Sequence, residues 1–299
     1  MRILLALDGS DPSLVARDLV ASLPWAPDTT IRLLAAYQTP IDWTGGMATG
    51  MNWIGDAEDA LRDELTGMLT DAAQPLAERG WTVEREVASE RPASAIVGAA
   101  ERWDADLIVM GSRGRGPVRS MLLGSVAGEV SSNAGCPVLV ARHPTVTRML
   151  VATDGSDLAS SIPARLGAWG VFRGMPAEAV AVSIHDSPGF QLLVGLYTLG
   201  DERLAARRAE LQERYRDDVK RLAEHLDEAG IPTITHLRTG DPAHEILELA
   251  GERDVDLIVT GSRGLGGLDR LVLGSVARNI LTHAKASVLI VRPEAGTGA

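Results

Sequence analysis

At 299 residues, with 45% hydrophobic and 23% charged side chains, the chain has the make-up of a soluble globular protein and length for about two domains. Its net charge of −11 argues against nucleic acid or an anionic membrane as the main partner, and no run of about 18 apolar residues offers a membrane span. The single cysteine, Cys136, excludes an internal disulfide and fits a reducing cytoplasm.

In chain order, residues 2–7 (RILLAL) make a short apolar strand that ends in Asp8-Gly9-Ser10. An amino terminus of this kind reads as a first strand and not as a signal peptide. Asp11-Pro12 then supplies an N-cap and a first-turn proline for a helix to about Ser22. A second strand covers 30–37. From Thr39 to Gly55 periodicity lapses in a stretch with four glycines, two methionines, Trp43 and Trp53. Long loops of this kind are either irregular insertions or functional flaps and domain contacts.

Residues 56–79 form a long amphipathic helix stopped at Gly80, 81–87 alternate as a strand, and 92–103 form a third helix. The run 106–110 (DLIVM) is a short buried strand leading into Gly111. Helix 125–134 and strand 137–141 close the half. Cys136, beside Pro137 at the start of that apolar run, reads as a buried structural thiol.

The second half repeats the order, with strands near 148–153, 178–184, 232–238, 256–260 and 288–291 and helices near 158–168, 201–229, 242–253 and 275–284. Short apolar strands alternating with helices indicate an α/β fold with a parallel sheet covered on both faces. Two such domains in tandem, 1–143 and 147–293, are expected. The short junction between them suggests halves that pack together.

The repetition is direct. Gly111-Ser112-Arg113-Gly114, nine residues, then Gly124-Ser125 returns as Gly261-Ser262-Arg263-Gly264, nine residues, then Gly274-Ser275. Likewise RILLALDGSD (2–11) returns as RMLVATDGSD (148–157). A period near 150 residues is domain-sized, so the chain is a tandem duplication.

In open α/β sheets, ligands bind beyond the carboxyl ends of the strands. Both repeated signals fall there: Asp8 and Asp154 after the first strand of each half, and the glycine motif after the fourth. Glycines allow close backbone approach. A loop of amides running into a helix at Ser125 or Ser275 makes a place for phosphate oxygens, with the serine hydroxyls capping the helix or donating to phosphate. Arg113 and Arg263 either add charge there or are solvated loop residues. Asp8 and Asp154 either form turns or accept hydrogen bonds from ribose hydroxyls or an adenine amino group.

Other signatures fail. A Walker A loop needs a lysine, and the first half has none. Gly111-x2-Gly114-x-Gly116 follows the fourth strand, not the first, as a dinucleotide fingerprint would require. The six histidines lack zinc spacing, and no nucleophile elbow is present.

These residues resemble the universal stress protein family, whose nucleotide-binding members carry Gly-x2-Gly-x9-Gly-Ser/Thr after the fourth strand and an aspartate after the first. The resemblance covers both halves. It implies five strands in the order 3-2-1-4-5 in each domain, doubly wound, with ATP, or ADP or AMP, at the carboxyl end and magnesium as its companion.

It implies that Asp8 contacts adenosine and that the backbone near Ala36 meets the adenine edge. Met110, Gly111, Ser112, Arg113 and Gly114, with Gly124, Ser125 and Val126, surround ribose and phosphates. In the second half the matching residues are Asp154, Ile184, Thr260, Gly261, Ser262, Arg263, Gly264, Gly274, Ser275 and Val276. Alanine at Ala127 and Ala277 departs from the further hydroxyl residue that ATP-binding relatives often carry, and so leaves ATP, ADP and AMP all open. The resemblance further implies a stress-response sensor or regulator with two sites and no catalytic residue, slow ATP hydrolysis or an empty interaction module being the alternatives. Pairing of fifth strands, 138–141 and 288–291, within the chain or between chains, and a homodimer are implied as well.

Overall fold

A computed structural model describes residues 1–38, 52–114, 123–183, 202–263 and 273–293. The chain divides into two compact units, Met1–Pro144 and Thr145–Ala299. The first runs β1 (Arg2–Ala6), α1 (Asp11–Ser22), β2 (Thr30–Tyr37), α2 (Asn52–Ala77), β3 (Thr82–Ser89), α3 (Pro92–Arg102), β4 (Leu107–Gly111), α4 (Ser125–Asn133) and β5 (Val138–Ala141). The second runs β6 (Met149–Thr153), α5 (Asp157–Trp169), β7 (Ala177–Ser183), α6 (Glu202–Glu228), β8 (Thr233–Thr239), α7 (Pro242–Glu252), β9 (Leu257–Gly261), α8 (Ser275–His283) and β10 (Ser287–Val291).

The first unit orders its strands β3-β2-β1-β4-β5, the second β8-β7-β6-β9-β10, and every pairing within each unit is parallel. Apolar content separates the inner strands from β3 and β8. Helices cover both faces of the inner strands, so β4 (LIVMG) and β9 (LIVTG) are buried throughout. The outer strands β3 and β8 carry polar residues and none of their residues is fully buried. Ile3, Leu4, Leu5, Ile108 and Val109 centre the first core; Leu150, Val151, Ile258 and Val259 centre the second.

Two helix starts and the burial of Cys136 differ from the sequence reading. The cap of α1 is Ser10, with Asp11 already helical, and the acidic residue in the first turn suits the positive end of the helix dipole. Helix α2 begins at Asn52, so Trp53 and Gly55 belong to it, while 39–51 lie outside the described residues. Cys136 is half-buried and not buried.

Candidate functional site

The strand order reverses between β1 and β4 in the first unit and between β6 and β9 in the second, opening a crevice at the carboxyl ends. Leu7 stays in register by donating its N–H to Leu34 O at 2.9 Å. The chain then leaves β1 through Asp8 and Gly9, and Gly9 has φ +75°. That left-handed turn folds Ser10 back on the aspartate. Asp8 Oδ1 accepts from Ser10 N at 3.0 Å and from Ser10 Oγ at 2.5 Å. In the second unit Gly155 has φ +76°, and Asp154 Oδ1 accepts from Ser156 N at 3.1 Å.

The glycine motif packs against this turn. A Cβ on Gly111 would come within 2.6 Å of the Pro12 carbonyl carbon and oxygen, so only glycine lets β4 pass the first turn of α1. A Cβ on Gly114 would overlap Asp8 Oδ2. The carboxylate and the bare backbone of the motif therefore share one spot, although 106 positions separate them in the chain. Gly261 is less confined, meeting Leu158 Cδ2 at 3.2 Å and Arg263 O at 3.1 Å.

Each loop is closed by the same bond. Gly124 N–H donates to Ser112 O at 2.8 Å, and Gly274 N–H donates to Ser262 O at 2.8 Å. A Cβ on Gly124 would lie 3.2 Å from Arg113 Cα, so the two ends of the loop touch. Here the structure corrects the sequence reading: Gly124 and Gly274 are the caps of α4 and α8, Ser125 and Ser275 are the first helical residues, and neither helix has a side-chain cap. Both serines are exposed and Val126 and Val276 half-buried. The first-turn N–H groups are thus open to an anion at the mouth of the crevice.

Most of the remaining predicted residues are gathered around this mouth. Met110 pairs in register with Ala6 and Val140, and Ala36 lies near the end of β2. Ser112 and Ser262 are buried, Thr260 is buried, Arg113 is exposed and Arg263 half-buried. Ile184 and Gly264 lie outside the described residues.

Three neighbours escaped the sequence reading. Ser10 holds Asp8, and the repeated Asp-Gly-Ser was its visible signal. Arg142 follows β5, where Ser112 N–H reaches Ala141 O at 3.2 Å. Burial, and then the Arg113 guanidinium, push Arg142 down to about 10. Third, Asp218 of α6 is buried against Gly155, where a Cβ would overlap its carboxylate. It pairs with Arg221 and, at 3.9 Å, with Arg214. Its signal was a charge on the stripe formed by Val219, Leu222 and Leu226. Beside it the Tyr215 hydroxyl is pushed up, first by burial and then by Asp154 and Asp218, against an opposing pull from Arg214.

Each half is a doubly wound α/β unit with a glycine loop closed on itself at the carboxyl ends of its strands, and in the first an aspartate meets that loop. The chain belongs to the universal stress protein family, whose model matches residues 1–142 and again 145–292. A universal stress protein of Mycolicibacterium smegmatis is 29% identical over 285 residues, spanning 91% of this chain and 90% of its own. One from Methanocaldococcus jannaschii is 34% identical over 145 residues, 48% of this chain and 81% of its own. Among solved structures, a universal stress protein from Archaeoglobus fulgidus shares the fold with a TM-score of 0.64, at 21% identity over 97% of this chain and 98% of its own. Among the described residues no helix is long and apolar enough to cross a membrane.

Proposed function

We propose that the chain binds an adenine nucleotide, ATP or its di- or monophosphate, in each unit, and acts in the cytoplasm as a regulator that reports the bound state. One observation carries the reading: the Asp8 carboxylate lies against the bare backbone of Gly114 at a crevice whose rim is an uncapped helix end. A carboxylate there suits hydroxyl or amino donors of a nucleoside, and helix amides suit phosphate oxygens. Glycines at 111, 114 and 124 let the loop close tightly on the Pro12 backbone, on Asp8 and on Arg113. The described residues contain no group of three or more His, Cys, Asp or Glu suited to a metal. Magnesium is therefore read as held chiefly by the nucleotide's own phosphates.

Binding without turnover is the expected mode, because Asp8 already holds two hydrogen bonds from Ser10 and is read as a nucleoside acceptor and not as a base. The test is to heat-denature freshly purified protein and to identify and count the released nucleotide by chromatography and mass spectrometry. Close to two per chain is expected, falling toward one in Gly114→Ala. A chain that arrives empty and ignores millimolar ATP refutes the reading, and sustained phosphate release replaces it with an ATPase.

A further inference from the structure

Among the described residues, the large hydrophobic side chains left exposed are Ile234, at 59%, and Leu237, at 37%. Both belong to β8, the outer strand of the second unit, which pairs only with β7 among the described strands. Adjacent positions on a strand face opposite sides, and 234 and 237 differ in parity, so the two side chains lie on opposite faces of one edge. A groove or a helix face would expose a single side. Apolar groups on both faces of an outer strand call for another strand laid alongside it.

The corresponding edge of the first unit is guarded. There Arg32, next to Leu4 in register, faces Glu84 on β3 and bonds to Glu84 Oε2 at 2.6 and 2.9 Å and to Glu86 Oε2 at 3.4 Å. In the second unit Glu178, next to Leu150 in register, faces Ile234. The charge that blunts an edge against pairing is thus replaced by isoleucine. The strand reads Thr-Ile-Thr-His-Leu-Arg-Thr, with its carboxylate partner withdrawn one strand inward, where Glu178 Oε2 lies 2.6 Å from His236 Nε2.

The direction of the free main-chain groups is fixed by the β7 ladder. Ala177 is opposite Thr233, and its N–H donates to Pro232 O at 2.9 Å. In a parallel ladder the flanking residues 232 and 234 therefore turn to β7, and so do 236 and 238. Thr233, Thr235, Leu237 and Thr239 turn their N–H and C=O groups to the open edge.

We infer that β8 is an assembly edge that pairs, antiparallel, with β8 of a second copy about a two-fold axis through His236. In that register Thr235 lies opposite Leu237 of the other copy and Thr233 opposite Thr239. All four outward-facing residues find outward-facing partners and exchange both main-chain bonds. Ile234 lies opposite Arg238, whose aliphatic stem covers it, and Leu237 packs on a threonine methyl. No carboxylate faces a carboxylate. The two central histidines each keep their own Glu178. The strand is self-complementary, which singles out a second copy over an unrelated strand, and an isologous edge closes at two.

The test uses the full chain, followed by light scattering on a sizing column up to about 100 µM, because a contact of one edge is of the weak, small-interface kind. The expected result is a mass that rises with concentration toward twice 31.7 kDa and stays at one chain in Ile234→Lys with Leu237→Lys, the circular dichroism and unfolding curve being unchanged. Register is read separately in a Cys136→Ser background. Thr235→Cys and Leu237→Cys proteins, tagged to differ in size, should cross-link on oxidation when mixed, and far less when each is alone, since the hydrogen-bonded pair brings Cα atoms to about 5.5 Å. A wild-type chain that stays monomeric overturns the inference, as does a dimer that survives both lysines. Absence of the mixed cross-link, or an edge occupied instead by a strand of another protein, overturns it too.

Discussion

The two units share a backbone but not its surroundings. After β1, both Ser10 donors, its N–H and its hydroxyl, go to Asp8. After β6, Ser156 gives only its N–H to Asp154, while its hydroxyl accepts from Ala159 N–H at 3.3 Å and caps α5. Counting back from Gly80 and Gly230, which follow the long helices, Met68 stands where Asp218 stands, Leu65 where Tyr215 stands, and Glu64 where Arg214 stands. Met68 lines a cleft with Gly9 and Arg17. Asp218 instead brings a buried carboxylate to Gly155 with two arginines behind it. Duplication kept the parts fixed by main-chain geometry and released those fixed only by side chains. Two crevices with a shared backbone thus stand in different electrostatic settings.

The sharpest way to break the comparison is at the first glycine of the loop. Gly111→Ala pushes a methyl into the Pro12 backbone, which cannot yield as a side chain can, whereas the nearest atoms to a methyl in Gly261→Ala, Arg263 O at 3.1 Å and Leu158 Cδ2 at 3.2 Å, stand further off. Overpacking of this kind costs about 1–3 kcal/mol. The first variant should sit at the upper end and the second below about 1 kcal/mol. Urea unfolding of the two variants measures the gap, and equal losses would mean that the crevices are built alike after all.

Next comes Asp218. Its arginine partners are more than half exposed, so little of the pair's attraction survives solvent screening, while the carboxylate bears the cost of burial. Asp218→Met, which installs the first unit's solution, should leave stability unchanged or raise it, as replacing buried ion pairs with apolar groups often does. Asp218→Ala, which leaves a hole beside Gly155, should lose about 1–2 kcal/mol. A loss from methionine as large as that from alanine would show the carboxylate to be required where it is.

Which features were legible in the sequence follows the same division. The alternation of strands and helices and the paired loops follow from short apolar runs, Asp-Gly-Ser and glycine spacing, because those residues answer to their own backbone, while the strand order came only with the family resemblance. The helix start at Asn52 was hidden because Asn-Trp-Ile-Gly has no apolar period to announce it. Gly124, not Ser125, caps α4 because loop closure on Ser112 fixes the entry of the chain, a contact invisible in local sequence. Asp218 and Arg142 were missed because their meaning lies in what they approach across the fold. The exposed Ile234 was missed for the opposite reason: sequence shows an apolar residue on a strand, but not that it stands exposed at the edge.

Ser10 and Ser156 sharpen the comparison at a smaller scale. Ser156→Ala removes a working N-cap and should cost about 1 kcal/mol. Ser10→Ala removes no cap bond and should cost less, while freeing one lone pair of Asp8. Calorimetric titration with ATP should then reveal a changed affinity in the first site only. A Ser10→Ala loss matching that of Ser156→Ala would mean that the Asp8 turn, and not the cap, holds each helix start.

The smallest effect is expected at Arg113. Burial first, and then the Arg113 guanidinium, hold Arg142 near 10, below the value of an unfolded arginine. From about pH 10 upward the unfolded chain therefore binds more protons at Arg142 than the folded one, so the opposition this group sets against folding is lifted as pH rises. At neutral pH it works against the fold. Arg113→Ala removes one source of that opposition and should raise stability slightly, by at most about 0.5 kcal/mol, since Arg113 is exposed. An anion between the two guanidiniums relieves the same repulsion, so the gain should vanish when nucleotide is added, and affinity for phosphate-bearing ligands should fall in the variant. A stability gain that persists at saturating ATP would place the phosphates away from this pair. That outcome would leave the helix end at Ser125 as their main anchor.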